Sequence, residues 1–233
     1  MGNNIFRRVE KKYLLNMKQY ENLLDIIWPY IEEDKYFKSV ISNIYFDTDN
    51  NDLIINSIDK PVFKEKLRLR AYTTPVDMDS EVFLEIKRKY KGIVGKRRVA
   101  LKLKDFYNFY ENREYEDSQI FSEIRYAFDF YKLKPMMFVG YDRLSYKGKD
   151  DDGLRITFDF NLRSRDNDLR LECGDVGNGF FKEDMCIMEI KTLGAMPFWL
   201  VEALSKLKIY PTSFSKIGRI YSEKIKECRY NVK

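Results

Sequence analysis

Three Glu-x-Lys pairs set the strongest limit on how this chain folds: Glu10-Lys11-Lys12, Glu85-Ile86-Lys87 and Glu189-Ile190-Lys191. Each lies in a stretch with strand character, and residues two apart in a strand point to the same face. Each pair therefore presents a carboxylate and an ammonium side by side. A fourth segment puts Lys64, Lys66, Arg68 and Arg70 on one face and Leu67 and Leu69 on the other. A half-exposed antiparallel strand also alternates in this way with its polar face merely solvated, and for one strand alone that is the simpler account. Repetition weighs against it, because the polar faces are dominated by Arg, Lys and Glu, with few Thr, Ser or Gln. Repeated cationic faces with interspersed glutamates suit a phosphate chain and the metal ions that accompany it.

At 233 residues, with 44% hydrophobic and 34% charged side chains, the chain has enough material for a real core and is expected to form one globular domain over 1–233. No apolar run approaches the ~20 residues of a membrane helix. The first eight residues lack the apolar core of a signal peptide. A cytoplasmic location is the resulting expectation. Cys173, Cys186 and Cys228 are odd in number and form no Cys-x-x-Cys pair, in keeping with a reducing compartment. Histidine is absent, which removes the commonest zinc ligand, general base and phosphoryl-accepting imidazole. Catalysis would have to run on carboxylates, cations and bound metal.

Strands are predicted at 7–15, 39–47, 62–73, 81–90, 96–103, 136–146, 154–163, 168–173 and 185–192. Asn16 is expected to cap a helix with Gln19 at the capping-box position, and Pro29 to kink or end it. A short helix is placed near 50–57 and a helical interlude at 105–132. Two helices close the chain, one opened by Pro197 and one from about Ser213 to Glu227. This order points to an α+β protein built on a closed antiparallel β-barrel, with helices packed outside and at the C-terminus. If the helices cover the apolar strand faces from outside, the charged faces point inward.

The inward set is then Lys12, Arg68, Arg70, Lys87, Lys96, Arg98, Arg143, Arg155, Lys191 and Lys216, with Glu10, Glu85, Asp159 and Glu189 as the inward acids. These leave 32 of the 42 basic and 33 of the 37 acidic residues elsewhere, so the whole net charge of +5 falls on the interior. Buried like charges repel and their desolvation is costly. Such a set is expected to have a polyanion as its counter-ligand, Arg supplying forked donors and Lys point charges. The carboxylates Glu189, Glu10 and Glu85 would hold Mn²⁺ or Mg²⁺, which take oxygen ligands and bridge phosphates. On the same reasoning Arg70→Ala should relieve repulsion in the empty protein.

Nine short motifs occur in a telling order: Glu10 to Tyr13, Tyr45 to Thr48, Lys66 to Arg70, Leu84 to Lys87, Lys96 to Val99, Tyr141 to Arg143, Leu154 to Asp159, Met188 to Lys191 and Ser213 to Lys216. Together they resemble the VTC domain, the catalytic domain of vacuolar transporter chaperone polyphosphate polymerases, within the CYTH-like triphosphate tunnel metalloenzymes. The resemblance covers residues 7 to 220 and implies a tunnel barrel binding the triphosphate of ATP and a growing polyphosphate. It passes phosphate binding to Lys12, Arg68, Arg70, Lys87, Lys96, Arg143, Arg155, Ser215 and Lys216, and the metal to Glu189. Among Lys96, Arg97 and Arg98 the assignment stays open, with Lys96 and Arg98 favoured because they share a face.

The function expected is metal-dependent transfer of the γ-phosphoryl group of ATP to inorganic polyphosphate. A tunnel-type triphosphatase and a non-catalytic polyphosphate-binding module are the alternatives. No nucleic-acid partner is expected, since the charge excess can all be placed inside. Gly92 to Lys96 is two residues short of a P-loop and reads as a hairpin turn; Gly174 to Gly179 reads as a loop. Tyr13, Tyr45 and Tyr141 stand as possible contacts at the tunnel mouth.

Overall fold

The computed structural model describes residues 8–59, 61–91, 93–115, 118–181 and 184–230. The chain divides into two compact units, one of residues 1–39, 141–162 and 179–214, the other of 40–140, 163–178 and 215–233. Nine strands follow the order β1-β9-β7-β6-β2-β3-β4-β5, with β8 (Asn178–Gly179) on β7. Here β1 is Arg8–Asn16, β2 Ile31–Asp47, β3 Phe63–Ala71, β4 Glu81–Tyr90, β5 Ile93–Lys102, β6 Lys134–Gly148, β7 Arg155–Arg165 and β9 Met185–Leu193. The large antiparallel sheet and its helices confirm an α+β class. The path ends at β1 and β5, and among the described residues no hydrogen-bonded ladder closes it into the expected barrel.

In the first unit, β9 lies between β1 and β7. Its register sets Lys12 opposite Glu189 and Glu10 opposite Lys191 on β1, and Thr157 opposite Glu189 and Arg155 opposite Lys191 on β7. The alternate residues, among them Tyr13, Leu15, Ile156, Phe158, Met188 and Ile190, are buried on the other face. They pack with Leu23 and Ile27 of helix α1 (Met17–Ile27) and with Leu200, Ala203 and Leu204 of α5 (Phe198–Lys206). The predicted capping box is formed: Gln19 N donates to Asn16 Oδ1 at 2.8 Å, and Asn16 N donates to Gln19 Oε1 at 3.3 Å. The helix stops at Ile27, where Pro29 sits in a 3-10 turn, Trp28–Tyr30.

In the second unit, Leu67, Leu69, Leu84 and Ile86 form the buried face of β3 and β4. Helices α3 (Leu103–Asn112) and α4 (Gln119–Tyr131) cover it with Phe106, Phe109, Phe121, Ile124 and Phe128. Phe109 makes edge contacts with Phe121 (4.6 Å between centroids) and Phe128 (5.6 Å). Helix α2 (Asp52–Ile58) begins where Asp47 accepts hydrogen bonds from the amides of Leu53 and Ile54. Helix α6 (Lys216–Tyr230) closes the described chain.

Three expectations need correction. Strand β2 starts eight residues earlier than read, at Ile31, because its acidic opening looks like a loop but is met by β6: Lys147 pairs with Glu32 at 2.8 Å and Ser145 Oγ donates to Asp34 at 3.3 Å. The stretch 168–173 is not a strand; Leu171–Cys173 is a 3-10 turn. The cause is Arg165, whose guanidinium donates to the carbonyls of Asp168, Arg170 and Val176 and pulls the loop tight. Third, the helical interlude divides into two helices, the second capped by Ser118. Gly92, read as a turn residue, and Arg7, read in the first strand, lie outside the described residues. Removing the cap with Asn16→Ala is expected to cost about 1 kcal/mol in urea denaturation, with an unchanged m-value.

Candidate functional site

The polar face of β1 and β9 holds a chain of alternating charges. Lys12 Nζ lies 3.1 Å from Glu189 Oε1 and 3.3 Å from Glu10 Oε1, and Lys191 Nζ lies 3.2 Å from Glu189 Oε2. Burial would depress the Lys12 ammonium, but Glu189 and Glu10 outweigh it and push its pKa up. Lys12 Nζ also donates to the carbonyl of Phe214 at 3.4 Å. Facing Glu189 across the ladder, Thr157 Oγ1 is buried with no hydrogen-bond partner. A buried hydroxyl left in this state is uncommon and costs free energy unless something arrives to meet it.

Two arginines of the same unit are held by acids. Arg143 forks onto the fully buried Asp159, with Nε to Oδ1 at 2.6 Å and Nη2 to Oδ2 at 2.9 Å. Arg155 Nη2 lies 2.9 Å from Asp34 Oδ2, and its Nε donates to Ser145 Oγ at 3.1 Å. Tyr13 and Tyr141 are both buried. Tyr13 packs in the apolar core, while Tyr141 lies under the Arg143 guanidinium at 5.3 Å.

The second unit gathers Tyr45, Arg68, Arg70, Glu85 and Lys96. Glu85 is 2% exposed and grips two cations, Arg68 Nε at 2.7 Å and Lys96 Nζ at 2.6 Å. Burial alone would raise its pKa, but Arg68, Arg70 and Lys96 together hold the carboxyl at about 2. Arg68 Nη1 donates to Tyr45 OH at 3.1 Å. Burial would likewise raise the Tyr45 phenol, yet Arg68, Arg70 and Lys66 draw it down to about 8. Lys96 is lowered by burial and by the neighbouring Arg68 and Arg70, against the pull of Glu85. Arg70 is buried and donates through Nε to Asn43 Oδ1 at 2.8 Å. Arg70 is thus built into the fold, so the expected relief on its removal must be set against an orphaned Asn43 oxygen.

On the same face, Lys87 stands opposite both Lys66 and Lys96, and Arg98 stands opposite Glu85 with its guanidinium 4.7 Å from the Phe83 ring. Arg97 reaches Glu123 on the other face, so the register places Lys96 and Arg98 together as favoured. Lys66 Nζ donates to Ser215 Oγ at 2.9 Å, and Ser215 Oγ accepts from Gly218 N at the start of α6, where Lys216 is the first residue.

The candidate residues therefore fall into two sets. Glu10, Lys12, Arg143, Arg155, Glu189 and Lys191 belong to the first unit, and Arg68, Arg70, Glu85, Lys87, Lys96, Arg98, Ser215 and Lys216 to the second. Sequence reading missed Asp34, Ser145 and Asn43, whose roles depend on strand partners distant in sequence. Thr157 and Lys66 were visible only as members of charged faces. Among the described residues no group of three or more Asp, Glu, Cys or His gathers to hold a metal ion.

Strands with one apolar face under helices and one face of paired cations and carboxylates define an α+β protein with a charged sheet face. The chain belongs to the VTC domain family, whose profile matches residues 7–222. Vacuolar transporter chaperone complex subunit 4 of Trypanosoma brucei brucei is 25% identical over 70% of this chain, and the match spans 26% of that longer protein. The fold is shared with two candidate adenylate cyclases. One, from Bacillus halodurans, has 13% identity over 89% of this chain and 93% of that chain, with a TM-score of 0.54. The other, from Vibrio parahaemolyticus, has 14% identity over 92% of this chain and 97% of that chain, with a TM-score of 0.52.

Two outcomes test the electrostatics. Glu85→Gln removes the carboxylate that Arg68 and Lys96 share and is expected to destabilise the protein by about 3 kcal/mol in thermal or urea denaturation. A folded-state pKa below the ordinary tyrosine value makes Tyr45 stabilising at high pH. Its contribution should grow as pH rises from 8 towards 10 and vanish as pH falls through 8. Ultraviolet titration should show a tyrosine ionising near pH 8 that is absent in Tyr45→Phe.

Proposed function

We propose that this chain is a polyphosphate polymerase, one VTC domain over 1–233, that transfers the γ-phosphoryl group of ATP to inorganic polyphosphate. The observation that carries the reading is the row Lys66, Lys87 and Lys96. Like charges directly opposite in a sheet are destabilising, so a row of three ammonium groups is well suited to a polyanion laid across it. Membership in the VTC family supports a phosphate chain as that polyanion. The closed tunnel implied by the resemblance, and a cytoplasmic location, are part of the same proposal. Among the described residues no helix is long and apolar enough to cross a membrane.

Phosphoryl transfer asks for alignment and charge neutralisation more than for covalent help. A terminal oxygen of polyphosphate attacks the γ-phosphorus, the bond from that phosphorus to the bridging oxygen of ADP breaks, and ADP leaves with the bond's electron pair. With no histidine in the chain a phosphohistidine route is removed, and the proposed transfer is direct. Arg68, Arg70, Arg143 and Arg155 act as forked donors to phosphate oxygens; Lys12, Lys87, Lys96, Lys191 and Lys216 are point charges, and Arg98 and Ser215 complete the set. For the arginines clasped by acids, Arg68, Arg143 and Arg155, phosphate must share or displace Glu85, Asp159 and Asp34.

The residues also fit a hard divalent cation. Glu189 and Glu10 offer carboxylate oxygens within reach of one ammonium, and the orphaned Thr157 hydroxyl lies opposite Glu189. Mg²⁺ commonly uses one or two carboxylates and completes its shell with substrate phosphates. Mn²⁺ or Mg²⁺ bound there would offset charge on the transferred group. Glu85, already between two cations, serves in this reading by holding Arg68 and Lys96 in place.

Incubation with ATP and Mn²⁺ should yield long chains on a polyphosphate gel. Release of phosphate alone would instead make the protein a hydrolase, and no turnover would make it a binding module. Glu189→Gln should abolish turnover while calorimetry still detects triphosphate binding. Arg70→Ala should weaken that binding by about 10- to 100-fold, the equivalent of a lost charge-assisted contact.

A further inference from the structure

Beyond Glu85 the hairpin of β4 and β5 carries charge of one sign. From Ile86 to Lys104 the sequence has nine Lys and Arg residues and no acid. Arg88 and Arg97 are met by glutamates from elsewhere, Lys96 by Glu85, and Lys102 and Lys104 by Asp79. Lys89 and Lys91, at the end of the hairpin, are exposed. That end is also apolar. The register sets Phe63 opposite Tyr90 and Tyr90 opposite Ile93, one row on a single face, with exposures of 44%, 53% and 76%. Val62 and Val94 are exposed beside it, and Lys91 N donates to Val62 O at 3.0 Å, which keeps Val62 in the pairing.

We propose that this end of the sheet docks on an anionic lipid surface. Apolar side chains projecting from a strand end, with lysines beside them, combine the two attractions that hold a peripheral protein at a charged bilayer. Tyr90 has the apolar ring and polar tip that suit the headgroup level. A second copy of the chain is a poorer occupant, since it would bring Lys89 and Lys91 against their own counterparts. Nucleic acid is a poorer occupant too, because three of the five exposed apolar side chains, Val62, Ile93 and Val94, have no ring on which a base could stack. None of Tyr90, Ile93, Lys89 or Lys91 belongs to the phosphate-binding set. Docking of this kind needs no turnover, so its test stands whether or not the chain makes polyphosphate.

The full chain is sedimented, without nucleotide, with vesicles of phosphatidylcholine alone or with phosphatidylserine at about 30%. Binding to the anionic vesicles is expected to be at least about tenfold tighter, and to weaken as salt shortens the screening length. The double change Tyr90→Ser and Ile93→Ser should lower binding about tenfold while leaving its salt dependence in place. Lys89→Glu with Lys91→Glu should lower binding and flatten that dependence. Equal sedimentation of wild type and the Tyr90/Ile93 variant, or equal binding to neutral and anionic vesicles, overturns the proposal. So does binding of single-stranded RNA in place of vesicles, or a dimer in light scattering that Ile93→Ser dissolves.

Discussion

Repulsion between cations on a shared strand face is the constraint around which this structure is arranged. In the second unit Lys66, Lys87 and Lys96 stand in one cross-strand row, and the adjacent row places Glu85 between Arg68 and Arg98. In the first, Lys12 and Lys191 are each bound to Glu189, and Glu10 reaches Lys12 from the other side. Carboxylates thus enter among the crowded cations, some from the same strand, as Glu10 to Lys12 and Glu189 to Lys191, and some from the neighbouring one, as Glu189 to Lys12 and Glu85 to Arg68. The protein holds its cations at fixed positions without a ligand, at the cost of also holding anions that a ligand must compete with.

That arrangement depends on the opposite face of the same strands. Leu67, Leu69, Leu84 and Ile86 alternate with Lys66, Arg68, Glu85 and Lys87, so each strand is fixed in register by its apolar half. A slip of one residue would turn every cation towards Phe109 and Phe128 and every leucine to the polar side. Burial of the aromatic cluster under α3 and α4 therefore does more than supply stability. It determines which side chains meet across the charged face.

Strand periodicity was legible where the alternation was clean. It gave the strand faces of Arg68, Arg70, Lys87, Lys96 and Arg98, and the capping box at Asn16 followed from local chemistry alone. The acidic opening of β2 was not legible, because Glu32 and Asp34 look like loop residues until Lys147 and Ser145 of a distant strand are set against them. The tight loop after β7 was hidden for a related reason: Arg165 organises it by binding backbone carbonyls, and carbonyls leave no mark in a sequence. Arg70 was read as one of the inward cations whose removal relieves repulsion, whereas Asn43 accepts a hydrogen bond from it and makes it part of the buried structure. In each case the missing information was a partner far along the chain.

The carboxylates that clasp Arg68, Arg143, Arg155 and Lys12 also alter what happens to the surrounding solution when a polyanion arrives. Free cations on a protein surface collect dissolved anions, and a polyanion collects metal ions of its own; their release drives association and makes it sensitive to salt. Here the anions are tethered to the protein and cannot leave. A polyphosphate would displace them only as far as their side chains reach, so little mixing entropy is gained on the protein's side. Affinity should then follow the ionic strength less steeply than the number of basic residues suggests, with the displaced carboxylates left beside the ligand as candidate partners for its accompanying metal ions.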